Sequence, residues 1–270
     1  MIRITALLTC HNRRELTLLC LSQLSALDLP EGTHLDVVLV DDGSRDGTSV
    51  IVREKYPEVG ILQGDGSLFW CGGMRKAWAH AAIADPDFYL LVNDDTMVER
   101  DALLELLKIV PAPDARKIGV GAIQDPTTGF ATYGGRRGAN GIILVDPTGQ
   151  PELCATFNAN LVLIPRAVFL ELGVFHHAYT HGMGDFDYGF QASRRGIQVL
   201  QTPGFVGACS HNSPGGSWRD RRLSRRERLK RLHSPKAHPW KEMVAYHRRN
   251  SGCLWPYRCI TPYLRILLGW

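Results

Sequence analysis

Apolar residues in the first third of the chain follow two spacings. Residues 2–9, 35–40, 59–62 and 88–92 form short, nearly unbroken apolar runs, and the stretches between them carry apolar residues every third to fifth position, as at Leu16, Leu19, Leu24 and Leu27. Unbroken runs of this length predict strands buried on both faces, and the intervening periodicity predicts helices over 13–27, 46–56 and 74–84. Strands alternating with helices imply an α/β fold, with a mostly parallel sheet flanked by helices.

The pattern is less regular further on. A helix is predicted over 97–110, a strand over 118–123, and a small hairpin region within the Gly-rich stretch 129–145, where Ala139-Asn140-Gly141 supplies the turn. A strand over 157–164, helices over 166–172 and 185–195, and a strand over 205–208 follow. From about Ser213 the composition shifts to Gly, Ser, Pro and Arg. This predicts an α/β domain over 1–212 and a basic, aromatic C-terminal extension over 213–270.

Composition narrows the class. With 44% hydrophobic and 21% charged residues the chain reads as an ordinary globular protein. The seven cysteines include no Cys-x-x-Cys pair, which argues against a disulfide framework or a zinc cluster and for a reducing, cytoplasmic setting. No apolar run is long enough for a transmembrane helix or a signal peptide, so neither is expected. The net charge of +4 is concentrated between Arg219 and Arg231, where eight Arg or Lys face two acids. Leu223, Leu229 and Leu232 among these arginines suit an anionic membrane surface, on the inner face of the cell membrane; a solvated, salt-laced helix is the plainer alternative. Nucleic acid is not expected as a partner, since no recognition motif accompanies the charge.

The candidate chemistry lies where predicted strands end, the edge at which open α/β sheets bind ligands. The first strand ends in Thr9-Cys10-His11-Asn12-Arg13-Arg14, the second in Asp41-Asp42-Gly43-Ser44, and the fourth in Asn93-Asp94-Asp95-Thr96. Carboxylates accept hydrogen bonds from a base or a ribose, and adjacent acids suit a hard divalent cation shared with phosphates. Gly72-Gly73-Met74-Arg75 opens a helix after a loop bearing Phe69 and Trp70; glycines there permit close backbone approach and a helix start favours anions. Gly184-Asp185-Phe186-Asp187 begins a later helix, where an acid is either a helix cap or a general base, and His211 follows the last strand. Each cluster also has a local reading as a turn or helix cap.

In this order the clusters resemble those of inverting glycosyltransferases of family 2, which have the Rossmann-like GT-A fold. The resemblance covers roughly residues 1–212. It rests on Thr9 to Arg13, Asp41-Asp42-Gly43-Ser44 with Asp46-Gly47-Thr48, Arg75, Asn93-Asp94-Asp95 in the place of Asp-x-Asp, Gly184-Asp185 through Arg194, and His211. It implies a nucleotide-diphospho-sugar donor held by Thr9, His11, Asn12, Arg13, Asp41, Asp42, Gly72, Gly73, Arg75, Asn93 and Asp94. It further implies Mg²⁺ or Mn²⁺ on Asp95 and His211, and a general base serving a hydroxyl of a glycan or lipid-linked acceptor. Asn93 departs from the usual first Asp. Gly184 departs from the usual Glu and leaves the base between Asp185 and Asp187, with the alignment favouring Asp185. The loop around Trp70 is similar to that of bacterial enzymes of cell-surface polysaccharide synthesis, including rhamnosyl- and glucosyltransferases. The alternatives are a sugar-phosphate nucleotidyltransferase, disfavoured because no glycine follows the first strand, and a non-catalytic membrane-associated scaffold.

Overall fold

The computed structural model of the chain describes residues 1–211 and 216–269. Its first half is a parallel sheet. β1 (Ile2–Cys10) leads through α1 (Arg14–Ser25) to β2 (Thr33–Asp41), then through α2 (Thr48–Lys55) to β3 (Gly60–Gln63), and through α3 (Phe69–Ala81) to β4 (Phe88–Val92). β1 pairs in parallel with β2 on one side and β4 on the other, and β3 extends the sheet beyond β2. The apolar runs are unbroken because both faces are covered. In β4, Phe88, Leu90 and Val92 enter one core with Leu21 and Leu106, whereas Tyr89 and Leu91 enter the other with Trp78 and Met74.

The second half extends the same sheet with strands of both directions. After β4 come β5 (Met97–Val98), α4 (Ala102–Ile109), β6 (Lys117–Gln124) and the short strands β7 (Ala131–Tyr133), β8 (Gly135–Arg137) and β9 (Ile143–Leu144). β10 (Glu152–Cys154), β11 (Thr156–Phe157), β12 (Leu161–Pro165), α5 (Arg166–Leu172), α6 (Gly184–Arg194) and β13 (Gln198–Ala208) follow. The strand order is β10-β13-β6-β12-β4-β1-β2-β3, with β12 antiparallel to β4 and β6, while β13 is parallel to β6. The α/β architecture anticipated from the alternation is the one observed. The hairpin around Asn140 is also present, with β8 pairing β9 antiparallel.

Four elements differ from their predicted form, one being the strand expected over 205–208, which begins seven residues earlier as β13 (Gln198–Ala208). Residues 97–110 do not make one helix: Met97 and Val98 pair with Ala208 and Gly207, and α4 begins at Ala102. Gly207 permits this pairing, since a Cβ there would sit 2.6 Å from the Met97 carbonyl oxygen. The strand expected over 157–164 divides into β11 and β12, with residues 158–160 as a connecting turn. α3 starts at Phe69 rather than near Met74, because Gly72 and Gly73 are inside the helix and bring it onto β1.

The C-terminal stretch folds as α7 (Arg225–Leu232), α8 (Trp240–Asn250) and α9 (Trp255–Leu267) around a small core of Trp218, Leu232 and Ile266. It is fastened to α6 by Arg249, which donates to Asp187 at 3.0 Å, and by Asn250, which donates to the same carboxylate at 2.7 Å. No described helix is long and apolar enough to cross a membrane. Asn212 and Trp270, and the expected boundary at 212–213, lie outside the described residues.

The α3–β1 contact gives a direct test. A Cβ at Gly73 would overlap Thr9 Oγ1 and approach Thr9 Cβ to 2.8 Å. Gly73→Ala is expected to lower the unfolding free energy by about 1–3 kcal/mol in urea denaturation, with part of the loss recovered in the Thr9→Ala double variant.

Candidate functional site

The site gathers at the carboxyl ends of β1, β2 and β4. Beyond Val92 the strand stops, and residues 93–96 form a turn closed by the Thr96 N–H on the Asn93 carbonyl at 3.1 Å. The turn, and not strand alternation, therefore sets where the three side chains point. Asn93 Oδ1 accepts from Trp70 Nε1 at 2.7 Å. Asp94 and Asp95 instead share Arg13, whose Nη1 donates to Asp94 Oδ1 at 2.8 Å and to Asp95 Oδ2 at 2.9 Å. Asp94 is buried, and desolvation pushes its carboxyl up to about 6; the neighbouring Asp95 adds to the rise and Arg13 opposes it. Asp95 and His211 line one cavity of about 350 Å³ between α1 and the end of β13. His211 stacks on Tyr133 with centroids 5.9 Å apart.

A second group surrounds the end of β2. Asp41 and Asp42 are both buried. Asp41 Oδ1 accepts from the Ser44 N–H at 2.8 Å, and its other oxygen accepts from the Ser49 hydroxyl. Asp42 accepts three backbone N–H groups of the facing loop: Gly66 at 2.9 Å, Leu68 at 3.3 Å and Phe69 at 2.8 Å. Asp42 thus binds the second and third loops together, while Asp41 shapes the turn after β2. Gly64 makes room for this, because a Cβ there would come within 2.9 Å of Asp42 Cα. His11 Nδ1 lies 2.6 Å from the Asp42 carbonyl oxygen, and the Asn12 N–H donates to Ser44 Oγ at 2.9 Å. Thr9 packs on Gly73. Arg75 turns away from this group, donating to the carbonyls of His176 and Tyr179 and so tying α3 to the loop before α6.

The start of α6 forms the third side. Asp185 Oδ2 accepts from the Ala159 N–H at 3.2 Å and Oδ1 from the Phe186 N–H at 2.9 Å. Asp185 is half-buried as a residue, and enclosure by protein desolvates its carboxyl and raises it to about 6. Asp187 is differently placed. It is buried and accepts from Arg249, Asn250 and Gln191. Its oxygens are committed to fastening α8. The turn 158–160 links Asp185 to the acids of β4: the Ala159 N–H reaches Asp185, and the Asn160 carbonyl accepts from the Asn93 N–H at 3.0 Å.

Two further residues belong here. Arg136, in the hairpin, donates through Nε to Asn158 Oδ1 at 2.6 Å and lies over the Phe186 ring at 5.5 Å. It also acts electrostatically on Asp185. No local motif marks Arg136, because only folding brings the hairpin to α6. Backbone strain marks the same place: Asn12 after β1, Phe69 at the start of α3 and Met183 just before α6 are non-glycine residues with φ of 51°, 51° and 67°.

Whether these residues suit a metal depends on the donor set. Among the described residues, no group of three or more His, Cys, Asp or Glu is arranged to hold an ion. Asp95 and His211 offer one oxygen and one nitrogen donor on a shared cavity. That fits a divalent cation that completes its shell with water and phosphate oxygens, and not an all-protein cage.

Residues 5–137 match the model of Glycosyl transferase family 2. No curated protein matches the chain in sequence. Among solved structures, the mannosyltransferase PcManGT from Pyrobaculum calidifontis, in complex with GDP-Man and Mn²⁺, is similar over 99% of this chain and 73% of its own, at 17% identity and a TM-score of 0.62. S. aureus TarS 1–349, in complex with UDP-GlcNAc, is similar over 99% of this chain and 81% of its own, at 14% identity and a TM-score of 0.61. GalNAc-T7 with UDP, GalNAc and Mn²⁺ gives 99% and 58%, at 13% identity and a TM-score of 0.60. At such identities the likeness is one of fold. The match over residues 5–137, just under half of the chain, is thus to a glycosyltransferase family, and the solved glycosyltransferases share the fold.

Proposed function

We propose that the protein transfers a sugar from a nucleotide-diphospho-sugar to a hydroxyl of a glycan or lipid-linked acceptor, with inversion at the anomeric carbon. The observation that carries this reading is the turn 158–160, which joins a half-buried Asp185 with a desolvated carboxyl to the Asn93–Asp95 turn at one end of the sheet. The relatives in complex with GDP-Man, UDP-GlcNAc or UDP and Mn²⁺ support the donor class and the cation.

In this reading Asp185 takes the proton from the acceptor hydroxyl. The hydroxyl oxygen then forms its bond to the anomeric carbon as the bond to the phosphate oxygen breaks, and the nucleoside diphosphate leaves with the electron pair. Asp185 is assigned the base role over Asp187 because the oxygens of Asp187 are occupied by Arg249 and Asn250. Asp95 and His211 would hold Mg²⁺ or Mn²⁺, which when bound offsets charge developing on the leaving diphosphate. Arg13 sits beside both acids and is placed to share that task. Thr9, His11, Asn12, Asp41 and Asp42 would form the nucleoside side. Asp42, already engaged by three N–H groups, would shape the loop as much as contact the base. Arg75 would act through the 176–179 loop, and Gly72 and Gly73 by letting α3 approach. Cell-surface polysaccharide synthesis is the pathway class favoured by the sequence resemblance around Phe69 and Trp70, which form the first turn of α3.

A base must be ionised to act. Since the folded-state carboxyl of Asp185 lies at about 6, turnover is expected to rise as pH increases through that value and to stay high above it. Asp185→Asn should lower kcat by roughly 10²–10⁴-fold and abolish that dependence, with nucleotide binding retained. Activity equal to wild type in this variant would refute the assignment. In a thermal-shift panel of UDP, GDP and dTDP, the cognate nucleotide should stabilise the fold only with Mn²⁺ or Mg²⁺, by about 2.7 kcal/mol at 100 times its Kd, and EDTA should reverse the shift.

A further inference from the structure

The described C-terminal helices carry a charge the rest of the chain does not share. Between Gly216 and Gly269 lie fourteen of the 31 Lys and Arg but only three of the 27 Asp and Glu, which leaves this stretch at +11 and the remainder at −7. On α9 the apolar residues divide between two faces. Cys259 and Ile266 are buried against α7 and α8. Tyr257, Ile260, Leu264, Leu267 and, just beyond, Leu268 are exposed, from 42% at Leu264 to 61% at Tyr257. Their spacing of three and four places them in one stripe along the helix. Arg258 and Arg265, seven residues apart, lie in one row about a quarter-turn from that stripe, where cationic side chains border an apolar face.

The geometry points to this stripe as a docking face for an anionic bilayer surface. A helix presenting an apolar stripe edged by arginines lies in the membrane plane, with its apolar face among the acyl chains and its cations at the headgroups. The local charge of +11 selects anionic lipid over a neutral surface or a second copy of the same charge. The sequence pointed instead to 219–231 and its leucines. The structure turns those inward: Leu232 is fully buried, Leu229 packs on the small core, and the Arg228 guanidinium donates to the Trp218 carbonyl at 2.8 Å. The basic stretch therefore contributes charge, and α9 contributes the apolar contact. Arg249 and Asn250, just before α9, hold Asp187 on α6, so the docked helices are fastened to the element that carries Asp185.

The test is co-sedimentation of the full chain with vesicles of phosphatidylcholine alone or mixed with phosphatidylglycerol. Wild type should pellet with the mixed vesicles only, and less at high salt. Arg258→Gln with Arg265→Gln should weaken partitioning about 30-fold, given the contribution of each cation near a charged surface. Ile260→Ser, Leu264→Ser and Leu267→Ser together should abolish pelleting without changing the melting temperature or donor hydrolysis, since all three positions are exposed. Absence of wild-type pelleting, or unchanged pelleting of the triple variant, would overturn the proposal. So would a wild-type dimer in analytical ultracentrifugation that the triple variant dissolves while neither binds vesicles.

Discussion

Two adjacent carboxylates at the end of a buried strand are the constraint around which this site is built. At an effective dielectric constant near 20, like charges about 4 Å apart repel by roughly 4 kcal/mol, a large fraction of a domain's net stability. Arg13 lies between Asp94 and Asp95 and opposes both that repulsion and the burial that lifts Asp94 to about 6. Because Arg13 follows β1 and the acids follow β4, this electrostatic requirement holds two neighbouring strand ends in one geometry. It also concentrates negative charge beside a cavity that His211 shares, an environment that favours a divalent cation.

The same economy of contacts recurs around the site. Asp42 uses both carboxylate oxygens to hold the Gly66–Phe69 segment, and this fixes the start of α3. Trp70, on the first turn of α3, in turn fixes Asn93. The acid that departs from the family pattern is thus replaced by an amide with a defined partner, Trp70. The turn 158–160 carries the geometry on to Asp185, and Asp187, two residues later, anchors the C-terminal helices. One short acidic segment therefore joins the candidate base to the element proposed to meet the membrane.

Much of this was legible in the sequence. The strand β4 was, because burial on both faces writes an unbroken apolar run. The strand-end acids were, because polar residues seldom interrupt such runs without a local reason. The choice between Asp185 and Asp187 was not legible from helix position, since it depends on Arg249 and Asn250, more than sixty residues away. Arg136 was silent for the same reason. Met97 and Val98 read as helix because their partner Gly207 is distant, and its missing side chain is informative only once the strands are side by side. The apolar face of α9 could not be separated from its buried face before the small core around Leu232 was known.

Electron paramagnetic resonance of Mn²⁺, titrated into the protein with its cognate nucleoside diphosphate, tests the role of the β4 acids most directly. A nucleotide-dependent bound-Mn²⁺ signal is expected in wild type. It should be lost in Asp95→Asn, strongly weakened in His211→Ala, and retained in Asp185→Asn. Undiminished Mn²⁺ binding by Asp95→Asn would contradict the assignment of the strand-end acids to the metal.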